Sequence, residues 1–524
     1  MSCSNLASGW METKPFRLPL LRALCELAVP NILSYIAELM LPISTTFFLG
    51  HLDSSYLAAA VVANMWCNAF GFSFLLGLAM GLDSLAPQAF GSQEKRLVGL
   101  YCQRALVIST LACIPIAVVW MLSDWGLQFI FRIDPTLSAL AGQWVWARMA
   151  GMWPGVAVEC LKRYVQSQNV AWPMPVAVAV VAVLHVGITY LMVGSFGYLG
   201  AAFSISISQW LLLAVLLLVL LIRERFPVEV KLGQCWPPIN LRDVFSGWAQ
   251  YLRFSAPSAA ALFIEWGGYE VYTAIAAQVG PLALAAQSIM AVTSFMWYLF
   301  PLGFAIACST LAGIALGRGD ALEAQSVTVL TLAVVTGWGL VNGGFGMLYR
   351  TAWSHLFTDD EAVVAVAVSM FPTLWVYGIV DSIKALSTSM LRSIGHQRLT
   401  VVGNLVSQLL VGYPISFVCS RYWGLPGVWF GITATWLSCC VIYLAIIFRT
   451  DWQLQVRKTA MEVAIGKGSR PYDGFSDHLH DALIDGGGAM DDDEGEAEEA
   501  VIDEINLGDH SLEGMLEREE MLDP

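Results

Sequence analysis

Charged residues are scarce in this sequence. Asp, Glu, Lys and Arg make up 13% of its 524 residues, whereas 57% are hydrophobic. An average soluble domain carries about twice that charged share. A surface with so little charge is unsuited to water, which argues against a soluble globular protein. The composition indicates a polytopic α-helical membrane protein.

Several chemical signatures are also missing. The eleven Cys are scattered without a CxxC pair or metal-ligand spacing, so we interpret them as small apolar residues. No nucleophile–base set, glycine-rich phosphate loop or metal cluster stands out, and we expect neither enzymatic activity nor a cofactor, metal or nucleic-acid partner. The first apolar stretch contains Pro30 and is long enough to span a membrane, which is atypical of a cleavable signal peptide.

Negative charge is concentrated at the carboxyl end. The net charge is −14, but residues 451–524 hold 21 acidic and 5 basic residues, which leaves 20 acidic and 22 basic elsewhere. Low hydrophobicity with high charge predicts a mostly disordered cytoplasmic tail over 451–524. Segments 496–507 and 511–522 suit short amphipathic helices, and residues 517–522 are similar to an acidic dileucine signal. The tail is therefore a candidate docking site for sorting or regulatory proteins.

Twelve apolar stretches approach or exceed the roughly 20 residues that a helix needs to cross a bilayer. A polar segment at 223–249 separates six of them from the other six, which predicts an N-terminal lobe over 24–222 and a C-terminal lobe over 250–450, after a cytoplasmic segment at 1–23. The predicted spans are 24–49, 56–82, 103–123, 144–166, 173–194, 199–222, 250–278, 283–310, 323–348, 363–391, 399–419 and 425–448.

The distribution of Lys and Arg predicts the orientation. With the amino terminus in the cytoplasm, seventeen of these residues lie at cytoplasmic ends of the spans and only Arg132, Arg350 and Arg421 lie in the opposite loops. Positive residues are retained on the cytoplasmic side, so both termini are predicted to be cytoplasmic.

The two halves resemble each other in sequence. A shift of 226 residues places residues 76–79 on 302–305 and Gly91 on Gly317. An even number of spans separates the copies, which predicts a parallel repeat with a pseudo-two-fold axis along the membrane normal. Two like six-helix lobes would then face each other across a central cleft.

Ionisable residues inside the predicted spans are candidates for function. Each costs about 2.5–3.5 kcal/mol to insert and usually faces a cavity or a partner. They are Glu38, Arg148, Glu159, Glu265, Glu270, Asp381 and Lys384, and Asp83 and His185 are the next candidates.

Glu265 is the strongest candidate for proton coupling. It lies near the middle of the seventh span, two turns after Pro257. Desolvation there favours the protonated carboxyl, so the group could take up and release protons. The alternative is an ion pair with a neighbouring helix. Glu270 points about 140° away around the helix, and its alternative role is a hydrogen bond that holds a bend at Gly267-Gly268.

Two ion pairs are predicted inside the spans. Asp381 and Lys384 are three positions apart and could pair on one helix, either as mutual neutralisation or as a pair that a solute or proton breaks. Arg148 and Glu159 are predicted to pair across helices in a structural role.

A cleft is expected to be lined by polar and aromatic side chains. Glu38 lies between Pro30 and Pro42 on a helix that we expect to be broken, where exposed backbone can line a cavity. Further candidates are Asn64, Gln88, His185, Trp266, Tyr269 and Lys384.

Several motifs carry a family resemblance. They include FLGHL at 48–52, GLAMGLDSLAPQAFGSQ at 77–93, IEWGGYEV at 264–271 and GLPGVW at 424–429. In this order the chain resembles the multidrug and toxic compound extrusion family, eukaryotic type, over about residues 20–450. The resemblance implies a twelve-helix, two-lobe antiporter that exports cationic and other amphipathic compounds in exchange for protons.

The resemblance also implies site residues. The family's membrane glutamate, its companion and its tenth-helix acidic residue fall on Glu265, Glu270 and Asp381. Other family positions are changed, which affects the expected coupling and substrate range. An aspartate of bacterial members falls near Thr45, an eighth-helix glutamate on Val292, an Arg and an Asn on Leu311 and Ile314, and fifth-helix asparagines on His185 and Thr189.

The expected function is therefore secondary active antiport, by a monomer in the plasma membrane or a vacuole-like membrane, of organic solutes against protons. The alternatives are an exporter of organic anions or flavonoids, a lipid-linked oligosaccharide flippase, and a receptor or scaffold. A flippase would need a more cationic cleft for pyrophosphate than Arg148 and Lys384 supply.

Overall fold

The computed structural model describes residues 18–225 and 232–467, and the regular elements in these ranges are all helical. Twelve long helical segments correspond to the twelve predicted spans, and we number them accordingly. They are α1 Leu18–Gly50, α2 Ser55–Gly91, α3 Lys95–Met121, α4 Pro135–Met149 with Met152–Gln166, α5 Pro173–Phe196, α6 Tyr198–Glu224, α7 Trp248–Val279, α8 Pro281–Gly317, α9 Ala321–His355, α10 Glu361–Ser393, α11 Gln397–Trp423 and α12 Leu425–Arg449.

Ten of these segments are long and apolar enough to cross a membrane. The two others are α4 and α7. In α4, two helices of fifteen residues meet at Ala150-Gly151, so neither reaches a full span. α7 is 32 residues long but carries Glu265 and Glu270, which lower its hydropathy. Both of these segments contribute charged residues to the clusters described below.

One predicted irregularity is absent from the described helices. α1 is one continuous helix although it contains Pro30 and Pro42, so the predicted break is wrong. Each proline deprives only the carbonyl four residues earlier of its N–H donor, here those of Glu26 and Glu38. Proline is tolerated in membrane helices because side chains, waters and neighbouring helices can satisfy such groups.

The predicted parallel repeat is visible in how α1–α6, the N-lobe, meets α7–α12, the C-lobe. Gly77 of α2 packs so closely on α7 that a Cβ atom would overlap the backbone of Ala259. At the equivalent place, a Cβ on Gly303 of α8 would lie 2.5 Å from Cγ1 of Ile32 in α1. Each lobe thus presents the same small residue to the other, as a pseudo-two-fold axis requires.

A second symmetric pair of glycines lies nearer the helix ends. A Cβ on Gly91 would overlap the carbonyl of Ile314, and one on Gly317 would overlap the carbonyl of Gln88. These residues are related by the same shift of 226 positions. We call the two pairs of glycine contacts, with the polar contacts beside them, the lobe seam.

Hydrogen bonds reinforce the lobe seam. Gln88 Nε2 donates to the Ser393 carbonyl at 2.8 Å, and Gln397 Nε2 donates to Ser84 Oγ at 2.7 Å. The Ser84 hydroxyl in turn donates to the Arg392 carbonyl. Gln88, predicted to line a cleft, is buried at this junction instead.

The segment between the lobes folds onto α3. It contains a 3₁₀ turn at Leu232–Cys235 and a short helix at Leu241–Phe245. Gln103 Nε2 donates to the Pro237 carbonyl at 2.9 Å, and Arg104 donates to the Asp243 carbonyl at 3.2 Å. These buried α3 side chains anchor the described part of the linker.

The folded body extends past α12 into the predicted tail. Residues Trp452–Gly466 form a helix, so the expectation of disorder from Asp451 is wrong for this part. Trp452 is buried, Gln250 Nε2 donates to the Glu462 carbonyl at 2.7 Å, and Lys467 Nζ lies 2.6 Å from Glu94 Oε1. The helix therefore contacts both lobes. The remaining tail features, at 496–507 and 511–522, lie outside the described residues.

Two truncations should differ in stability. Removal of 468–524 leaves every described contact in place and should not change the melting temperature in detergent. Removal of 452–524 should lower it, because exposing the Trp452 site alone costs about 3–5 kcal/mol. Scanning fluorimetry of both variants checks this, and equal melting temperatures would show that the helix does not stabilise the body.

Candidate functional site

An ion pair links two helices inside the C-lobe. Glu265 Oε2 of α7 lies 2.5 Å from Lys384 Nζ of α10, and the two side chains are 17% and 2% exposed. Lys384 Nζ also lies 4.4 Å from the centroid of the Trp436 ring of α12. Three helices thus converge on one buried ammonium group.

This pairing corrects the predicted one. Lys384 pairs with Glu265 across helices rather than with Asp381 on its own helix, because its long side chain reaches α7. Asp381 is buried and interacts electrostatically with both Lys384 and Glu265. The three charged groups form what we call the C-lobe cluster.

Tyrosines surround the C-lobe cluster. The Tyr269 and Tyr377 hydroxyls are hydrogen-bonded to each other, and the Tyr269 ring lies 6.0 Å from that of Trp436. Trp266 is half-buried beside Glu265. Glu270 is exposed and has no ion pair within 4.0 Å among the described side chains. The structure therefore brings Glu265, Asp381, Lys384 and Tyr269 together, and leaves Glu270 apart.

The C-lobe cluster has little free space. Asp381, Tyr298 and Asn342 line a cavity of about 10 Å³. Such a volume suits one water molecule at most. In this conformation the cavity beside the C-lobe cluster has no room for an organic solute.

The N-lobe contains a much larger cavity, of about 410 Å³. This volume lies within the range of small-molecule sites, about 300–1,000 Å³. The N-lobe cavity reaches from Leu49 and Leu57, near the helix ends remote from the lobe seam, to Glu38. Asn64 also lines it, so two of the predicted cleft residues face this space.

A buried ion network adjoins the N-lobe cavity. Lys162 Nζ lies 2.7 Å from Glu159 Oε1 and 3.7 Å from Glu38 Oε1. Arg163 contacts Glu159, and its Nε lies 3.1 Å from Asp83 Oδ1. Lys162 and Arg163, near the cytoplasmic end of the predicted fourth span, are only 3% and 9% exposed. Their i+3 and i+4 spacing from Glu159 was the available signal.

The predicted pair of Arg148 with Glu159 is not formed. The two residues are eleven positions apart on α4, about 16 Å along a helix axis. Glu159 is held by the two cations of its own next turn. Arg148 lines the N-lobe cavity and donates to Asn64 Oδ1 at 3.4 Å.

His185 is part of a buried polar network beside the N-lobe cavity. Its Nδ1 lies 2.7 Å from Ser208 Oγ, and its Nε2 lies 3.0 Å from Thr45 Oγ1. Thr45 itself lines the cavity. His185 is fully buried and is linked to residues of the cavity wall, Thr45 and, through a 3.1 Å contact of Nε2 with its carbonyl, Leu41.

Known proteins are similar to this chain in sequence and in fold. The MatE family model matches residues 30–191 and 257–418. An uncharacterized transporter of Schizosaccharomyces pombe is 30% identical over 458 residues, which cover 86% of this chain and 83% of that protein. Multidrug and toxin extrusion protein 2 of Oryctolagus cuniculus is 27% identical over 437 residues, covering 83% and 71%. The crystal structure of the eukaryotic MATE transporter AtDTX14 has a TM-score of 0.79 at 24% identity, covering 85% of this chain and 99% of that one.

These matches confirm the predicted two-lobe helical fold and its internal repeat. The family model fits each lobe once, over segments that begin 227 residues apart. The structural likeness extends over nearly all of the described body. This chain is therefore a member of the MatE family of multidrug and toxin extrusion transporters.

Proposed function

We propose that this protein exports organic solutes, cations among them, in exchange for protons, and that Glu265 carries the proton. The pair between Glu265 and Lys384 supports the proposal. A carboxylate that holds an ammonium group between two helices loses that partner when it takes up a proton. The Lys384 ammonium then has a second carboxylate, Asp381, on its own helix. Protonation would thus switch one link between α7 and α10.

Such a switch suits alternating access. An antiporter needs two conformations with different affinities for its ligands. With Glu265 ionised, the link to Lys384 holds α7 on α10; with Glu265 protonated, α7 is released. Because α7 also forms the lobe seam through Ala259, its movement would reach the contact between the lobes.

We further propose that both termini face the cytoplasm. The lobe seam then lies on the cytoplasmic side, where most of the positive residues are. The conformation described would be closed to the cytoplasm, and the N-lobe cavity would extend toward the outside or the lumen. Protons would enter from that side of a plasma membrane or vacuole-like membrane, and one chain, which holds both lobes, would be the transport unit.

Transport in vesicles tests the coupling. Purified protein is reconstituted into vesicles with an acidic lumen, and radiolabelled tetraethylammonium is added outside. This permanently charged ion cannot be trapped by protonation, so any uptake above that of protein-free vesicles reports exchange. We expect uptake that disappears when the pH gradient is collapsed.

A sodium gradient at equal pH serves as the matched control. It should drive no uptake. Uptake that follows the sodium gradient, or that ignores the pH gradient, would contradict proton coupling.

A further inference from the structure

The N-lobe cavity contains a cation without a carboxylate partner. Arg148 lies in the last turn of the helix Pro135–Met149 and lines the cavity. Besides its 3.4 Å hydrogen bond to Asn64, its Cζ lies 5.5 Å from the centroid of the Phe72 ring. Among residues 18–225 and 232–467, no carboxylate oxygen lies within 4.0 Å of this guanidinium. Most of its five N–H donors are left without an acceptor by these contacts.

Three other buried cations of the spans are neutralised. Lys162, Arg163 and Lys384 each lie within 4.0 Å of at least one carboxylate. The carboxylates at the other end of the N-lobe cavity, Glu38 and Glu159, are both held by Lys162 and do not cancel the charge of Arg148. An uncompensated charge inside a span is costly and marks a path for a solute or an ion.

The surroundings of Arg148 suit a flat organic body. The partly exposed Phe72 ring lines the same cavity, and the fully buried Trp144 donates through Nε1 to the Asn64 oxygen that also accepts from Arg148. This shared bond fixes the ring beside the guanidinium. A guanidinium binds a carboxylate through two parallel hydrogen bonds, which gives both strength and orientation.

We propose that the N-lobe cavity binds aromatic carboxylates, with the carboxylate on Arg148 and the aromatic body against Phe72. The inference rests on the proposed function in that it names a solute class for the same transporter. It places the anion in the N-lobe cavity and the exchanged proton in the C-lobe cluster. The two ligands therefore occupy different lobes.

Binding to the full-length protein in detergent tests this site without any gradient. The probe is 2-naphthoate, and 2-naphthamide is its neutral isostere. Calorimetry should show that wild type binds the carboxylate at least about tenfold more tightly than the amide, as expected for a charge-assisted pair. Arg148→Gln should remove that preference, and Arg148→Lys should keep part of it.

Arg421→Gln is the matched control, because Arg421 also stacks on a phenylalanine, Phe417, but is exposed. It should bind 2-naphthoate as wild type does. Equal binding of the two probes by wild type, or an unchanged preference in Arg148→Gln, would overturn the proposal. If Arg148→Gln does not fold, the wild-type comparison and Arg148→Lys still decide. Failure of this site with intact proton-driven flux refutes the binding proposal alone, whereas naphthoate binding without such flux supports it and refutes the proposed coupling.

Discussion

Replacing Glu265 by Gln is expected to reduce proton-driven uptake of tetraethylammonium to the level of protein-free vesicles. A glutamine amide does not take up or release a proton at physiological pH, and it cannot form an ion pair with Lys384 as a carboxylate does. The lost charge-assisted bond is worth about 1.5–3 kcal/mol, or at least about tenfold in the balance between conformations. Flux measured under an acidic lumen checks the result, and unaltered flux would refute the assignment of Glu265.

A fold control is needed because the change removes the carboxylate that lies 2.5 Å from the buried Lys384 ammonium. Removing one partner of a buried ion pair costs about 3–5 kcal/mol. The double variant Glu265→Gln/Lys384→Met restores charge balance and should regain most of the lost thermal stability without regaining flux. Glu323→Gln makes the same chemical change in an exposed pair with Arg318 and should leave flux intact. Recovered flux in the double variant would mean that Glu265 serves only to neutralise Lys384.

Gly77→Ala is expected to hold the lobes apart at the lobe seam. The added Cβ would overlap the backbone of Ala259, which cannot rotate away as a side chain can. Overpacking of this kind costs about 1–3 kcal/mol, enough to shift the population of the closed seam by about 5- to 150-fold. Flux should fall because one of the two conformations becomes scarce.

Hydrogen–deuterium exchange checks the state of the seam directly. In Gly77→Ala, amides of residues 82–93 should exchange faster than in wild type. Gly187→Ala is the matched control, since a Cβ there has no heavy atom within 4 Å. Unchanged exchange with unchanged flux in Gly77→Ala would show that the seam is not the closed gate.

The sequence predicted the framework well because membranes simplify the problem. Each span must satisfy its own backbone hydrogen bonds in lipid, so apolar length alone indicates a helix. The 226-residue shift, read from Gly77, Gly91 and their counterparts, predicted a parallel repeat, and the structure shows symmetric contacts at these glycines. Glu265 was singled out because an ionisable group in the middle of a span is expensive.

The pairing of charges was less predictable. Lys384 was predicted to meet Asp381, three positions away, and Arg148 was predicted to meet Glu159 across helices, and neither ion pair is formed. Spacing reports only neighbours on one helix, whereas a lysine or arginine side chain can reach a carboxylate on another. The end of the body was misplaced for a related reason. Helix Trp452–Gly466 is too polar to read as a span, and packing against both lobes stabilises it.

The sequence by itself determined the solvent, the helices, the repeat and the cost of each buried charge, because these depend on composition and on order along one chain. Only the tertiary structure decided which charges meet. It placed Lys384 on Glu265 beside a cavity of only about 10 Å³, and left Arg148 facing a cavity of about 410 Å³ in the other lobe. The physical reason is that partners and cavities arise from the way separate helices pack, and residues far apart in the chain jointly determine that packing.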